Sequence, residues 1–113
     1  MSKDPFILLQ HILECVHKIR LYTKDMDIDK FLAEEMVQDA VIRNFEIIGE
    51  ATKQLSMDFR AEHPDIPWKK IAGMRDKLIH DYIGVDLWAV WAVVEKIIPE
   101  FEAQLQQILN SRH

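Results

Sequence analysis

Residues 74–82 read MRDKLIHDY, which places Arg75, Asp76, His80 and Tyr82 within one short segment. Histidine can take or give a proton near neutral pH. Asp76 precedes it by one helical turn, where a carboxylate can hydrogen-bond the ring and stabilise its charged form. A guanidinium is suited to gripping a phosphate and to neutralising charge that develops at phosphorus. Together these groups suit metal-free cleavage of an RNA phosphodiester. The base removes the proton of a 2′-hydroxyl, the oxygen attacks the adjacent phosphorus, and the arginine steadies the pentavalent oxygens. Only RNA offers that internal nucleophile.

The spacing alone does not decide the matter. His80 can equally be a solvated helix-face histidine, Arg75 a buried or interfacial ion pair, and Tyr82 a core residue. On an ideal wheel of ~100° per residue, Ile71, Met74, Leu78 and Tyr82 form an apolar stripe, widened by Trp68, Ala72 and Ile79. Arg75 falls inside that arc, where a permanent charge needs an anionic partner or a wet cleft. Lys69, Lys70, Asp76, Lys77, His80 and Asp81 take the opposite arc. Arg75 and His80 are therefore about 140° apart on an ideal helix. Bringing both to one atom requires a departure from ideality near Gly73 or at the helix end, or a cleft built from two chains.

The elements that must position these residues are helices. Gly 3 and Pro 4 in 113 residues favour long helices over a turn-rich β architecture. The first helix is predicted over about 4–23, with Asp4-Pro5 at its start and Phe6, Leu9, Ile12, Leu13, Val16 and Ile19 as its stripe. The second is predicted from Asp27 or Asp29 to about Ser56. Residues 57–67 read as the main loop, and Pro67-Trp68 opens a helix carrying the motif that ends before Gly84. Asp86 caps a further helix, which Pro99 must bend or divide. The expected fold is all-α, an up-down bundle of four to five helices forming a single domain over 1–113. The run LWAVWAVV (87–94) is apolar on every side, including Trp88 and Trp91. A helix of that kind must be covered all round, so one side is expected on the core and the other against a second copy.

Composition bounds the setting. Hydrophobic residues are 49% and charged residues 29%, the balance of a water-soluble globular chain. The single cysteine, Cys15, has no intrachain partner for a disulfide; with no leader pattern at the N-terminus, a cytoplasmic location is expected. The longest apolar run falls far short of the roughly 20 residues that span a bilayer, so no membrane partner is expected. Net charge is −5, which argues against general attraction to nucleic acid. The charge is uneven, however. Residues 24–39 hold two lysines against six acids, whereas 68–80 hold Lys69, Lys70, Arg75 and Lys77 against Asp76 alone. The basic segment coincides with the motif, and Lys69, Lys70 and Lys77 are the candidate RNA-binding cations.

Other features carry less. Asn44 lies on the inner stripe of the second helix and is expected to tie helices together, or else to support Arg75. Glu46 and Glu50 read as a solvated face. His11, Glu14 and Cys15 share a helix face but lack any zinc-site spacing, so neither metal nor cofactor is expected. No phosphate-binding glycine loop or nucleophile elbow is present.

The wider text carries more. RNFEIIGEATKQL (43–55), HPDIPWKKIAGMRDKLIHDYIGVDLWAVW (63–91) and IIPEFEAQLQQIL (97–109) resemble, in order and spacing, the HepT-like toxins of the HEPN superfamily. The family signature Arg-x4-His-x-Tyr matches Arg75, His80 and Tyr82, with the polar residue after the arginine being Asp76. The resemblance implies a HEPN helical bundle working as a homodimer, with two motif helices facing a shared cleft. It implies metal-independent endoribonuclease activity, with Arg75 and His80 catalytic. It further implies a minimal nucleotidyltransferase antitoxin as partner, which silences the toxin by transferring AMP to Tyr82. The alternative is a non-catalytic HEPN protein that binds a nucleotidyltransferase.

Overall fold

The computed structural model describes residues 4–79 and 86–111, without the side chains of residues 75, 78 and 79. Among the described residues there are seven helices and no strands: α1 (Pro5–Tyr22), α2 (Ile28–Ala33), α3 (Glu35–Lys53), α4 (Met57–Glu62), α5 (Trp68–Ile79), α6 (Leu87–Lys96) and α7 (Ile98–Asn110). The all-α bundle is the expected one, with more and shorter helices than expected.

Helix starts follow the capping chemistry. Asp4 accepts a hydrogen bond from the Phe6 amide at 2.9 Å, with Pro5 in the first turn of α1 where its missing N–H costs nothing. Asp27 caps α2 through the Lys30 amide at 2.8 Å, and Asp86 caps α6 through the Ala89 amide at 3.1 Å. Pro99 does divide the last helical stretch: α6 ends at Lys96, and α7 begins at Ile98 with the proline in its first turn.

Two boundaries differ from expectation. The helix predicted from Asp27 or Asp29 to Ser56 is broken at Glu34, whose φ and ψ are −113° and 86°. The Gln38 side-chain amide donates to the carbonyls of Phe31 (2.8 Å) and Leu32 (3.0 Å), satisfying acceptors freed at the end of α2. The break releases α2 to swing Phe31, fully buried, onto Trp91 of α6 at a ring separation of 5.1 Å. The segment read as the main loop also contains α4. Ser56 caps it by accepting from the Phe59 amide at 3.1 Å, and Phe59 is buried against Phe6, His63 and Trp68. A six-residue helix is not stable on its own. Burial of Phe59 explains why it forms here.

In the bundle, α3 lies between α1 and α5, α1 also packs on α7, and α6 packs on α7 with α2 reaching across to it. The core is centred on α1, whose Leu9, Ile12, Val16 and Ile19 are fully buried, and on Val41, Ile48, Ile71 and Leu105 from its neighbours. Cys15 is buried too, and loss of hydration pushes its thiol pKa up, partly offset by Lys18. No helix among the described residues is long and apolar enough to cross a membrane.

The sides of α6 differ sharply. Val90, Trp91 and Val94 face the core, whereas Trp88 is 62% exposed. One chain therefore covers only part of this apolar helix. Because Phe31 joins α2 to α6 through a fully buried ring, Phe31→Ala should destabilise the fold by about 3–5 kcal/mol. Urea denaturation will measure this, and a loss below ~1 kcal/mol would show that the Phe31–Trp91 contact does not hold α2 in place.

Candidate active site on α5

The first turn of α5 is fixed by an aromatic anchor. Trp68 is buried, its indole Nε1–H donates to the His63 carbonyl at 3.0 Å, and its ring meets Phe101 of α7 edge-on at 6.2 Å. Ile71, Ala72 and Met74 continue the buried side against α3. These residues set the roll of the helix about its axis. Lys69, Lys70 and Lys77 are consequently exposed, and Asp76 is half-buried at the edge of the same outer arc. Among the described side chains of α5, Trp68, Ile71, Ala72 and Met74 lie on the expected buried arc, and Lys69, Lys70, Asp76 and Lys77 on the expected outer one.

α5 is α-helical through Gly73, so the helix is not interrupted there. An outright interruption at Gly73 is therefore not what could bring Arg75 and His80 to one point. A milder departure from ideality there, the helix end and a cleft of two chains remain. The Arg75 side chain, His80, Asp81 and Tyr82 lie outside the described residues, as does the predicted stop before Gly84.

Sequence reasoning missed Lys53. This residue, in the last turn of α3, places its ammonium 2.8 and 2.9 Å from the two carboxylate oxygens of Asp76. The side chains are 38% and 46% exposed, so the pair contributes about 0–1 kcal/mol. Its electrostatic consequence is larger than its energy: the one acid of α5 is matched by a cation from the neighbouring helix. Nothing in the local spacing could announce a pair 23 residues apart. It depends on how α3 packs against α5.

The other candidates fall into ordinary roles. Asn44 is buried, and its amide donates to Ala40 on its own helix at 2.8 Å, so this bond does not join two helices. Glu46 pairs with Arg43 at 3.7 Å on α3. Arg60 of α4 donates to the Thr52 carbonyl at 2.8 Å, holding α4 against the end of α3.

Comparison with known proteins gives a family match and several relatives. A family model described as "Ribonuclease HepT-like" matches residues 12–108. The chain is 43% identical over 108 residues to a protein of Caldanaerobacter subterraneus subsp. tengcongensis provisionally named an RNase, covering 96% of both chains. It is 42% identical over 100 residues to the "Probable ribonuclease HepT" of Thermococcus cleftensis, covering 88% of this chain and 91% of that one. It is also 50% identical over 110 residues to a Methanocaldococcus jannaschii protein named a γ-glutamylcyclotransferase and, provisionally, an RNase. There it covers 97% of this chain but only half the length of the relative. No solved structure matches the chain significantly.

A double-mutant cycle of Lys53→Met and Asp76→Asn should give a coupling of no more than about 1 kcal/mol in chemical denaturation. A coupling several times larger would mean that this pair, rather than the apolar anchor, fixes the roll of α5.

Proposed function

The chain belongs to the HepT-like ribonuclease family, and from that premise we propose that it is a metal-independent endoribonuclease toxin held in check by an antitoxin partner. One observation carries the reading. In a chain of net charge −5, the Arg-x4-His-x-Tyr motif of the sequence coincides with the basic segment, and the lysines of α5, the helix that carries its arginine, all stand outward.

In this proposal His80 takes the proton of an RNA 2′-hydroxyl. The 2′-oxygen forms a bond to the adjacent phosphorus, the bond from phosphorus to the 5′-oxygen breaks, and that oxygen takes up a proton as it leaves. The products are a 2′,3′-cyclic phosphate and a 5′-hydroxyl. Arg75 neutralises the charge on the phosphoryl oxygens at the five-coordinate stage. Asp76, held by Lys53, orients the imidazole. Lys69, Lys70 and Lys77 supply the local positive potential that the acidic chain as a whole lacks.

The working unit in this reading is a homodimer whose two motif helices share a cleft, which would relieve the 140° separation of Arg75 and His80 on one helix. The exposed indole of Trp88, at the start of the helix that follows the motif, supports a second copy on that side. The partner is a minimal nucleotidyltransferase. The Tyr82 hydroxyl attacks the α-phosphorus of ATP, pyrophosphate leaves, and AMP remains on the ring. A bulky anion at the mouth of the cleft repels RNA phosphates.

The activity is tested by incubating the protein with RNA in EDTA, after intact mass has shown Tyr82 to be unmodified. Wild type should cleave, and His80→Ala and Arg75→Ala should each lose about 10²-fold or more in rate. Equal survival of RNA with all three proteins would refute the nuclease reading. Co-production with the nucleotidyltransferase should add whole multiples of AMP to the mass, and none with Tyr82→Phe. For assembly, Trp88→Asp should shift the protein from dimer to monomer in light scattering; a dimer unaffected by that change would exclude Trp88 from the interface.

A further inference from the structure

We infer that the outer face of α5 leads from the motif to a second RNA-binding subsite, in the concavity between α4 and the start of α5. The subsite takes a backbone phosphate on Lys69, Lys70 and Arg60 and an adjoining base on an apolar floor. It rests on the ribonuclease reading for the identity of the polyanion, and on the following features for everything else.

The concavity has a volume of about 670 Å³ and is lined by Arg60, Lys69 and Lys70 together with Met57, Ala61, Pro64, Ile66, Pro67 and Trp68. No acid lines it, although acids outnumber cations 19 to 14 in the chain. Its cations are placed against local preference. Lys69 and Lys70 lie in the first turn of a 12-residue helix, where the macrodipole disfavours positive charge, and no acidic residue occupies that turn. Arg60 is held by its bond to the Thr52 carbonyl. Three cationic residues and the positive end of α5 thus border one largely apolar hollow, and an anion bound at its rim would be favoured. The floor suits a base rather than a bare ion. Met57 is 73% exposed, a large apolar side chain left at the rim for a flat partner to cover.

Gly73 connects this hollow to the motif. Mid-helix glycine costs about 1 kcal/mol relative to alanine. Here no packing demands it, because a Cβ at position 73 would meet nothing within 4 Å. In the helical register of the sequence, Gly73 shares the outer arc with Lys69, Asp76, Lys77 and His80. A residue with no side chain at that point lets a nucleic-acid backbone lie close to the helix. Lys69 precedes Asp76 by ~10 Å along the axis, so a strand crossing the motif reaches the hollow within a few nucleotides.

Binding of a fluorescent single-stranded 2′-O-methyl RNA tests this without cleavage, since the internal nucleophile is blocked. Lys69→Glu with Lys70→Glu should raise Kd by roughly tenfold or more, and make the log–log salt dependence shallower by about 0.7, the share of one phosphate. The matched reversal Lys18→Glu with Lys24→Glu, at the far end of α1, sets the effect of net charge alone. Gly73→Gln should raise thermal stability while weakening RNA binding several-fold, an opposition that a purely structural role would not give. Met57→Ala should weaken binding with an unchanged salt slope. The inference is overturned if the Lys69/Lys70 pair weakens binding no more than the control pair, or if those variants lose only the nucleotidyltransferase. Cleavage of unmodified RNA with no change in binding would sink the subsite and leave the nuclease standing; binding here without cleavage by wild type would do the reverse.

Discussion

The burial of one side of α5 is the constraint on which the site depends. Ile71 is fully buried, Met74 nearly so, and Trp68 is locked by its bond to the His63 carbonyl and its edge contact with Phe101. Each such side chain stabilises the packed state by about 1.5–3 kcal/mol. The Lys53–Asp76 pair adds ~1 kcal/mol at most. The apolar anchor therefore decides the roll of the helix, and the ion pair follows from it. With that roll fixed, every lysine of α5 must face outward. An acidic chain thereby presents Lys69, Lys70 and Lys77 to solvent on one helix.

The rest of the fold serves this arrangement through two breaks in helical continuity. At Glu34 the chain gives up a continuous helix so that Phe31 can reach Trp91, and Gln38 satisfies the carbonyls left over. At Ile97 the proline two residues on separates α6 from α7. Together they hold α6 with Trp91 inward and Trp88 outward. An apolar helix that one chain covers only in part sits directly after the motif. In the proposed dimer that is where a second copy would bring its own motif helix.

Much of this was legible in the sequence because it is local. Asp4-Pro5, Asp86 and Pro99 are signals whose action is complete within a turn of helix, and each acts as its chemistry requires. The stripe of α5 was legible for the same reason: 3.6-residue periodicity is a property of the segment alone. What escaped was non-local. The break at Glu34 depends on a ring contact between residues 31 and 91. The short helix α4 depends on Phe59 finding Phe6 and Trp68, although Ser56 was a visible cap. Lys53 became relevant only when α3 was laid beside α5. Arg75, His80 and Tyr82 were legible as chemistry by their types and order, and as a family signature. Their joint geometry depends on what packs around them, which no local pattern encodes.

The central claim is that the RNA supplies its own nucleophile and the protein supplies a proton acceptor and a fixed cation. The chemical ends of the products report on that directly. Mass spectrometry of fragments released in EDTA by the unmodified protein should show 2′,3′-cyclic phosphates paired with 5′-hydroxyls. Fragments carrying 5′-phosphates and free 3′-hydroxyls would mean that water or another external nucleophile attacks phosphorus, and would contradict the account.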